Sequence, residues 1–394
     1  MASAGESDSE GEEFIGFDEE DRLAVAASRQ ERLEGIEERD SESDISVSSV
    51  ATEDLSDETD SEEEELWNEN EDPLNVAPFT ARAGPMSGVA EDGTAVDFFY
   101  LMFPEELIEH IVSETNHYAR ECIATKPDPE WKDTSLEEIK AFLGLHVLFG
   151  IKQLPSYKLY WSKDPLIGVL TVQKGMSRNR FEKLSQYFHV NNNANQVPRE
   201  DPAYDKLFKV RPVINRVVQC CQMELMPERD LTVDEAMVKH NGQLSMKQFM
   251  PMKPVKRGIK VWECAEVSSG FVCDFQVCTG KRQDGVTEKN LGYLVVHDLT
   301  QNFTGKSHHI FCDNFFTSVS LAEDLLNDNN YLCGTTRAIR KDFPKELANN
   351  PQVKRFKQRE SLFRRREDLV ATVWKDKRFV NFLSTQVIRQ GRKR

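Results

Sequence analysis

The chain has 394 residues, with 50 Lys and Arg against 67 Asp and Glu, a formal charge of −17. That length favours two or three domains. No apolar run approaches the roughly 20 residues of a membrane span, and the opening MASAGESDSEGEEF lacks the basic start and apolar stretch of a secretory signal.

The average charge hides a division. Residues 1–76 carry 28 acids and 4 bases, or −24, which leaves a body of +7. The whole-chain balance is therefore no guide to partners. Cys122, Cys220, Cys221, Cys264, Cys273, Cys278, Cys312 and Cys333 form no C-x-x-C pair. They read as reduced core thiols rather than zinc ligands.

Residues 1–95 predict a disordered acidic tail, because blocks such as SDETDSEEEELWNENED bury too little apolar surface to offset ordering entropy. Ser7, Ser9, Ser56 and Ser61 lie among acids and suit acid-directed kinases. The apolar islands Phe14-Ile15-Gly16-Phe17 and Leu66-Trp67 are the places where a protein partner could anchor on the tail.

From about residue 96 the pattern becomes globular. Asp97-Phe98-Phe99-Tyr100 leads into a helix over 104–125. Ser135 and Glu138 fit a capping box ahead of the apolar run from Ile139 to Ile151. Met176 to Phe181 opens a helix through Leu184 and Phe188, and another spans 213–226 beyond a loop holding Pro198 and Pro202. Residues 96–228 are thus mainly helical.

The period changes after Pro227. Strands are predicted at 230–239, 258–267 and 271–278, the last two joined by Ser268-Ser269-Gly270. A helix at 286–299, a strand at 308–313, a helix at 321–327 behind Ser320 and Glu323, and a strand at 331–336 complete the series. The order β-β-β-α-β-α-β describes an α/β fold with a mixed sheet. From 338 the chain is polar, with 14 Lys and Arg against 4 acids over 354–394. Leu369 to Trp374 and Val380 to Leu383 read as two short strands. Arg364-Arg365-Arg366 and Arg392-Lys393-Arg394 are basic clusters of the kind that direct proteins to the nucleus.

Asp234 and Asp313 carry the chemical argument. Each interrupts or ends an apolar strand, and open sheets gather their sites at strand ends. Two carboxylates on neighbouring strands suit a hard divalent cation such as Mg²⁺, which can activate an oxygen nucleophile on a phosphodiester. Taken alone, an Asp at a strand end is more often a turn or cap residue. Near the first Asp, Lys247, Lys253, Lys256, Arg257 and Lys260 surround Phe249, Met250 and Trp262, a patch suited to phosphate. Arg178 and Arg180 open a helix, where backbone N–H groups also favour phosphate; surface ion pairs are the other reading. His308 and His309 read as core or strand-edge residues, and Met250 and Met252 as packing.

The words around these residues add a resemblance. Leu231-Thr-Val-Asp-Glu235, Lys247 to Val261 and Phe311-Cys-Asp-Asn-Phe-Phe-Thr-Ser318 resemble the piggyBac family of DNA transposases and their host-adopted derivatives. Met176-Ser-Arg-Asn-Arg-Phe181, Lys209-Val-Arg-Pro212, Tyr331 to Arg337 and Leu369 to Arg378 do so in the same order, so the resemblance spans about 96–385. It implies a ribonuclease H-like core in which metal-bound carboxylates drive cut-and-paste transposition at TTAA sites. Asp234 falls on the family's first catalytic Asp and Asp313 on its second. Residues 96–228 match a dimerisation and DNA-binding region, 229–337 the first part of the catalytic core, and 338–394 the start of an insertion domain.

The sequence also departs from the family pattern. The third catalytic Asp belongs to a Gly-Gly-Val-Asp word that does not occur here. The last helices of the core and a Cys-rich zinc domain are also missing, so the core is expected to be incomplete. Asp342, Asp368 and Asp376 match no motif. Without its last helix, the sheet is expected to expose Ile310, Phe311 and Val261. The expected protein is a carboxy-truncated nuclear derivative that binds double-stranded DNA as a homodimer, holds Mg²⁺ weakly or vestigially, and does not cut. The alternatives are an active transposase with its third carboxylate from elsewhere, and a protein-interaction module using the acidic tail and dimer surface.

Overall fold

The computed structural model describes residues 67–86, 92–280 and 291–386. The tail serines and the Phe14–Phe17 island lie outside the described residues, as do residues 286–290 of the predicted helix and the Arg392–Arg394 cluster.

Among the described residues six α-helices precede the sheet: α1 (Ala95–Met102), α2 (Glu105–Thr125), α3 (Leu136–Ile151), α4 (Leu170–Gly175), α5 (Arg178–Tyr187) and α6 (Arg211–Glu224). Their starts follow the capping chemistry of small polar residues. Thr94 and Asp97 form a full capping box at α1, a helix that the sequence reading had merged into its approach to α2. Ser135 accepts from the Glu138 N–H at α3, but the Glu138 carboxylate turns instead to Thr134 and Arg180. Ser177 caps α5 by accepting from the Arg180 N–H. Ile108, Ile111, Ile139, Phe142, Phe181 and Leu184 form one core, to which Phe149 and Trp161 add ring contacts.

The sheet begins with β1 (Asp230–Lys239), β2 (Arg257–Glu266) and β3 (Val272–Val277). Next come α7 (Leu291–Thr300), β4 (His309–Cys312), α8 (Val319–Asn327) and β5 (Tyr331–Thr336). β1 pairs antiparallel with β2 and parallel with β4, and β4 pairs parallel with β5. On its other side β2 pairs antiparallel with β3 and with a three-residue edge strand, Lys247–Phe249. The mixed α/β class is as expected. The capping residue of α8 differs: Ser318, not Ser320, accepts the first-turn N–H, from Leu321.

The basic end of the chain continues this same sheet. β6 (Ser361–Arg366), β7 (Leu369–Lys375) and β8 (Phe379–Ser384) form a meander, and β8 pairs antiparallel with β5. β6 escapes the sequence reading because a strand at a sheet edge does not need an alternating apolar face, and charged side chains are what such edges carry. Of the three residues expected to be bare, Ile310 is fully buried, Val261 is 7 % exposed and Phe311 is half-buried. Burial of one such side chain stabilises by about 1.5–3 kcal/mol.

Residues 67–86, assigned to the tail by composition, run across this assembly. Asn68 exchanges two backbone hydrogen bonds of 2.8 Å with Arg365, and Trp67 packs on the sheet core with the Arg366 guanidinium over its ring. Further on, the Tyr331 hydroxyl accepts from the Ala77 N–H, and Gly84–Pro85 pair with Leu225–Met226. Trp67, expected to anchor a protein partner, packs on the chain's own sheet, and Phe79, hidden by the acidic composition, meets the buried His308 ring at 4.9 Å. The arginines read as a targeting cluster are engaged here: Arg364 pairs with Glu69 and Glu346, Arg365 with Asp368, and Arg366 with Glu323.

Candidate metal and nucleic-acid site

The parallel register of β1 and β4 brings the two aspartates together. Leu231 faces Ile310, Thr232 faces Phe311 and Val233 faces Cys312. One residue further along the same register come Asp234 and Asp313, both exposed, while Leu231, Val233 and Ile310 below them are buried. Oxygens of Asp234, Glu235 and Asp313 all lie within 4.8 Å of one another. Glu235 was read only as part of the Leu231–Glu235 word; its signal was adjacency to Asp234.

The Asp313 loop is held from several sides. Its Oδ1 accepts from the Phe315 N–H at 2.8 Å, and its carbonyl accepts from the Thr317 hydroxyl at 2.8 Å. The Arg340 guanidinium donates to the Asn314 and Phe315 carbonyls at 2.7 and 2.9 Å. Burial holds that arginine below its ordinary pKa, with Arg337 adding to the effect. Two glycines permit this packing. A Cβ on Gly334 would sit 2.2 Å from Thr317 Oγ1, and one on Gly292 would sit 2.6 Å from the Phe315 carbonyl oxygen. Arg340 and both glycines went unremarked in the sequence, because a brace of this kind has no local motif.

Like charges are concentrated on this edge. Glu263 stands opposite Asp234 in the antiparallel β1–β2 register. Burial raises the Glu263 pKa, and the charge of Asp234 raises it further. The counter-charge comes from Lys253. Its ammonium lies 3.0 Å from Glu235 Oε1 and donates to the Glu235 carbonyl at 3.2 Å. The hydrogen bond to Glu235 raises the Lys253 pKa despite partial burial, helped by the charges of Asp234 and Asp313.

The other cations expected to meet phosphate are dispersed. The Lys260 ammonium lies over the Phe315 and Trp262 rings, at 5.1 and 5.7 Å from their centroids. Arg257 stacks on Phe249, Lys247 donates to the Gly242 carbonyl at 3.1 Å, and Lys256 is exposed. In the helical region Arg180 is committed elsewhere. It bonds both Glu138 oxygens at 2.6 and 2.5 Å and stacks over Trp131, a structural bond rather than an open phosphate contact. Arg178 stands 3.7 Å from Glu182 on the helix surface. Among the weighed acids, Asp368 faces Arg365 and Asp376 accepts from Gln358. His308 is fully buried with Nδ1 on the Glu228 carbonyl, as a core histidine.

Comparison with known proteins gives the family. A family model described as Transposase IS4 matches residues 94–392, well over half of the chain. PiggyBac transposable element-derived protein 3 of Homo sapiens is 31% identical over 271 residues, covering 67% of this chain and 44% of that protein. PiggyBac transposable element-derived protein 2 of Homo sapiens is 29% identical over 342 residues, covering 82% and 53%. The chain thus spans about half the length of the curated relatives it matches. Among solved structures, the piggyBac transposase in a synaptic complex with hairpin DNA superposes with a TM-score of 0.67 at 25% identity, over 77% of this chain and 63% of that one. The chain belongs to the piggyBac-type Transposase IS4 family.

Proposed function

We propose that this chain is a transposase-derived DNA-binding protein whose Asp234 and Asp313 hold a divalent cation, and that the 394 residues by themselves do not cut DNA. The alignment of Asp234, midway along β1, with Asp313, just past the end of the parallel strand β4, carries the reading. Asp234 on the first core strand and Asp313 after the fourth are where a ribonuclease H-like core would place them. The solved relative that superposes on this chain is named as a complex with hairpin DNA, which supports DNA as the partner.

The residues fit a hard cation. Mg²⁺ and Mn²⁺ take carboxylate oxygens and water, and three carboxylates converge within reach of one ion. Asp234 and Asp313 would be the ligands. A cation bound there would supply Lewis-acid stabilisation to a phosphodiester. The Asp313 loop, braced by Thr317 and Arg340, fixes its carboxylate, while Lys247, Lys256, Arg257 and Lys260 would meet backbone phosphates. The Gly-Gly-Val-Asp word is absent from the sequence, and Glu235 is turned to Lys253. A site short of one carboxylate aligns attacking and leaving oxygens poorly. Residues 96–228 would supply the dimer contact, and the nucleus is the compartment where such a protein meets DNA.

Fluorescence anisotropy of the purified chain on a TTAA-bearing duplex, repeated across salt concentrations, tests the DNA part. Affinity should fall steeply with salt and depend little on sequence. Salt-independent binding or none would overturn it. Incubation of the same duplex with Mn²⁺ should leave it intact; cleavage that disappears in Asp234→Ala would show an active enzyme instead.

A further inference from the structure

We propose that Lys253 is a tethered cation that occupies the carboxylate site until a divalent ion enters, and that displacement frees its ammonium to bind DNA phosphate. The inference rests on the reading of Asp234 and Asp313 as a divalent-cation site.

Placement comes first. Lys253 lies in the loop between the edge strand Lys247–Phe249 and β2, which is closed by the Met250 N–H donating to the Lys256 carbonyl at 2.8 Å. Inside it the Lys253 N–H donates to the Met250 carbonyl at 3.2 Å, and Pro251 and Pro254 flank the turn. Proline fixes φ, so this loop has few ways to move its lysine. The ammonium reaches β1, where it bonds the Glu235 carboxylate and carbonyl.

Charge comes second. Glu235 belongs to the set whose oxygens lie within 4.8 Å of one another, so the ammonium sits one carboxylate from both aspartates. Glu263 adds a fourth acid opposite Asp234. Like-charged carboxylates gathered this closely need a counter-ion. A lysine ammonium is a compact point charge on a flexible stem, able to lie in such a site and to leave it. It carries one charge where Mg²⁺ or Mn²⁺ carries two, and a metal ion can bond both aspartates directly. The ion therefore wins when present, at a cost in affinity set by the ammonium it expels.

Release comes third. The loop faces solvent beside the lysine, since Met252 is 94 % exposed. A freed ammonium there is available to a phosphate lying across the strand ends. Metal and DNA would then bind with positive coupling, each raising affinity for the other by the same factor. The free protein would load metal poorly, and DNA would draw the ion in.

Calorimetric titration of the full chain with Mn²⁺, for the wild type, Lys253→Met, Lys256→Met and Asp313→Asn, tests this. Lys253→Met should bind Mn²⁺ about tenfold more tightly, within the usual range of ligand coupling. Lys256→Met removes the same charge from an exposed site three residues away and should change affinity less than about twofold, since solvent screens it. Mn²⁺ should tighten DNA binding in the wild type and do so less in Lys253→Met. Unchanged or weaker Mn²⁺ binding in Lys253→Met overturns the proposal, as does an equal gain in Lys256→Met. If the wild type binds too weakly to measure, Asp313-dependent binding in Lys253→Met supports it, and none in either overturns it. Lys253→Gln replaces the methionine variant if that one unfolds. Binding that persists in Asp313→Asn fails the metal-site reading itself; binding lost there, with no gain in Lys253→Met, fails only the role of the lysine.

Discussion

The helical region and the acidic cluster of the sheet treat charge in opposite ways. Between helices three acids meet bases. Glu138 takes both arms of Arg180, Asp128 takes Lys183 and the Tyr187 hydroxyl, and Asp205 takes Arg211. Around the β1–β4 pairing Asp234, Glu235, Glu263 and Asp313 gather where Lys253 is the cation bonded to Glu235. Charges that hold a fold arrive paired, whereas a gathering of like charges costs stability and persists where it serves chemistry.

The strongest way to break this comparison is Arg180→Met. Its side chain is 18 % exposed, it fixes α5 to α3, and its loss leaves Glu138 partly buried without its partner. Removal of one member of such a pair costs about 2–4 kcal/mol, between the values for exposed and fully buried pairs. Urea unfolding should show that loss, with DNA affinity of the folded fraction unchanged. A variant of wild-type stability with weakened DNA binding would put Arg180 back among the phosphate contacts.

Acid sharpens the same contrast. Arg180 holds the Glu138 carboxyl below its ordinary range, with the Thr134 hydroxyl helping. A carboxyl with a depressed folded pKa stabilises above its unfolded value of about 4.3, and that stability is lost as pH falls through the folded value. The thermal midpoint should therefore drop on acidification below about pH 4. Glu138→Gln should have a lower midpoint at neutral pH and a shallower acid limb. Equal acid limbs in the two proteins would mean that the pair contributes nothing.

What the sequence made legible follows from the range of the physics involved. Amphipathic periods and capping serines are local, so α2, α3, α5 and the strands β1 to β5 could be read directly. Asp234 and Asp313 were found by their words, and the parallel register then explained why they meet. Three things depended on contacts far along the chain. β6 is a strand because β7 pairs with it, with Arg365 facing Val370. The segment from Trp67 is ordered by residues nearly 300 positions away, and nothing local says that this tryptophan anchors on the chain's own sheet. Arg180 and Lys253 looked alike as cations near a nucleic-acid site. Only their partners separate a helix brace from a lysine bonded to Glu235 beside the two aspartates.

The smallest expected effect is on stability, from Asp313→Asn, and its size is the point. Asparagine keeps an oxygen to accept from the Phe315 N–H, so the loop after β4 retains its turn. The change removes one negative charge from a set that includes Asp234 and Glu235, which relieves repulsion. It also removes part of the attraction that holds Lys253. These effects oppose each other, and the carboxylate is exposed, so the net change should stay within about 1 kcal/mol. Mn²⁺ binding, by contrast, should be lost, because a neutral amide is a far weaker ligand for a hard cation than a carboxylate. Urea unfolding and Mn²⁺ titration of one variant thus report on the two regions together. If Asp313→Asn proves as destabilising as Arg180→Met, the clustered acids of the sheet are structural groups like those between the helices, and the distinction between the two regions collapses.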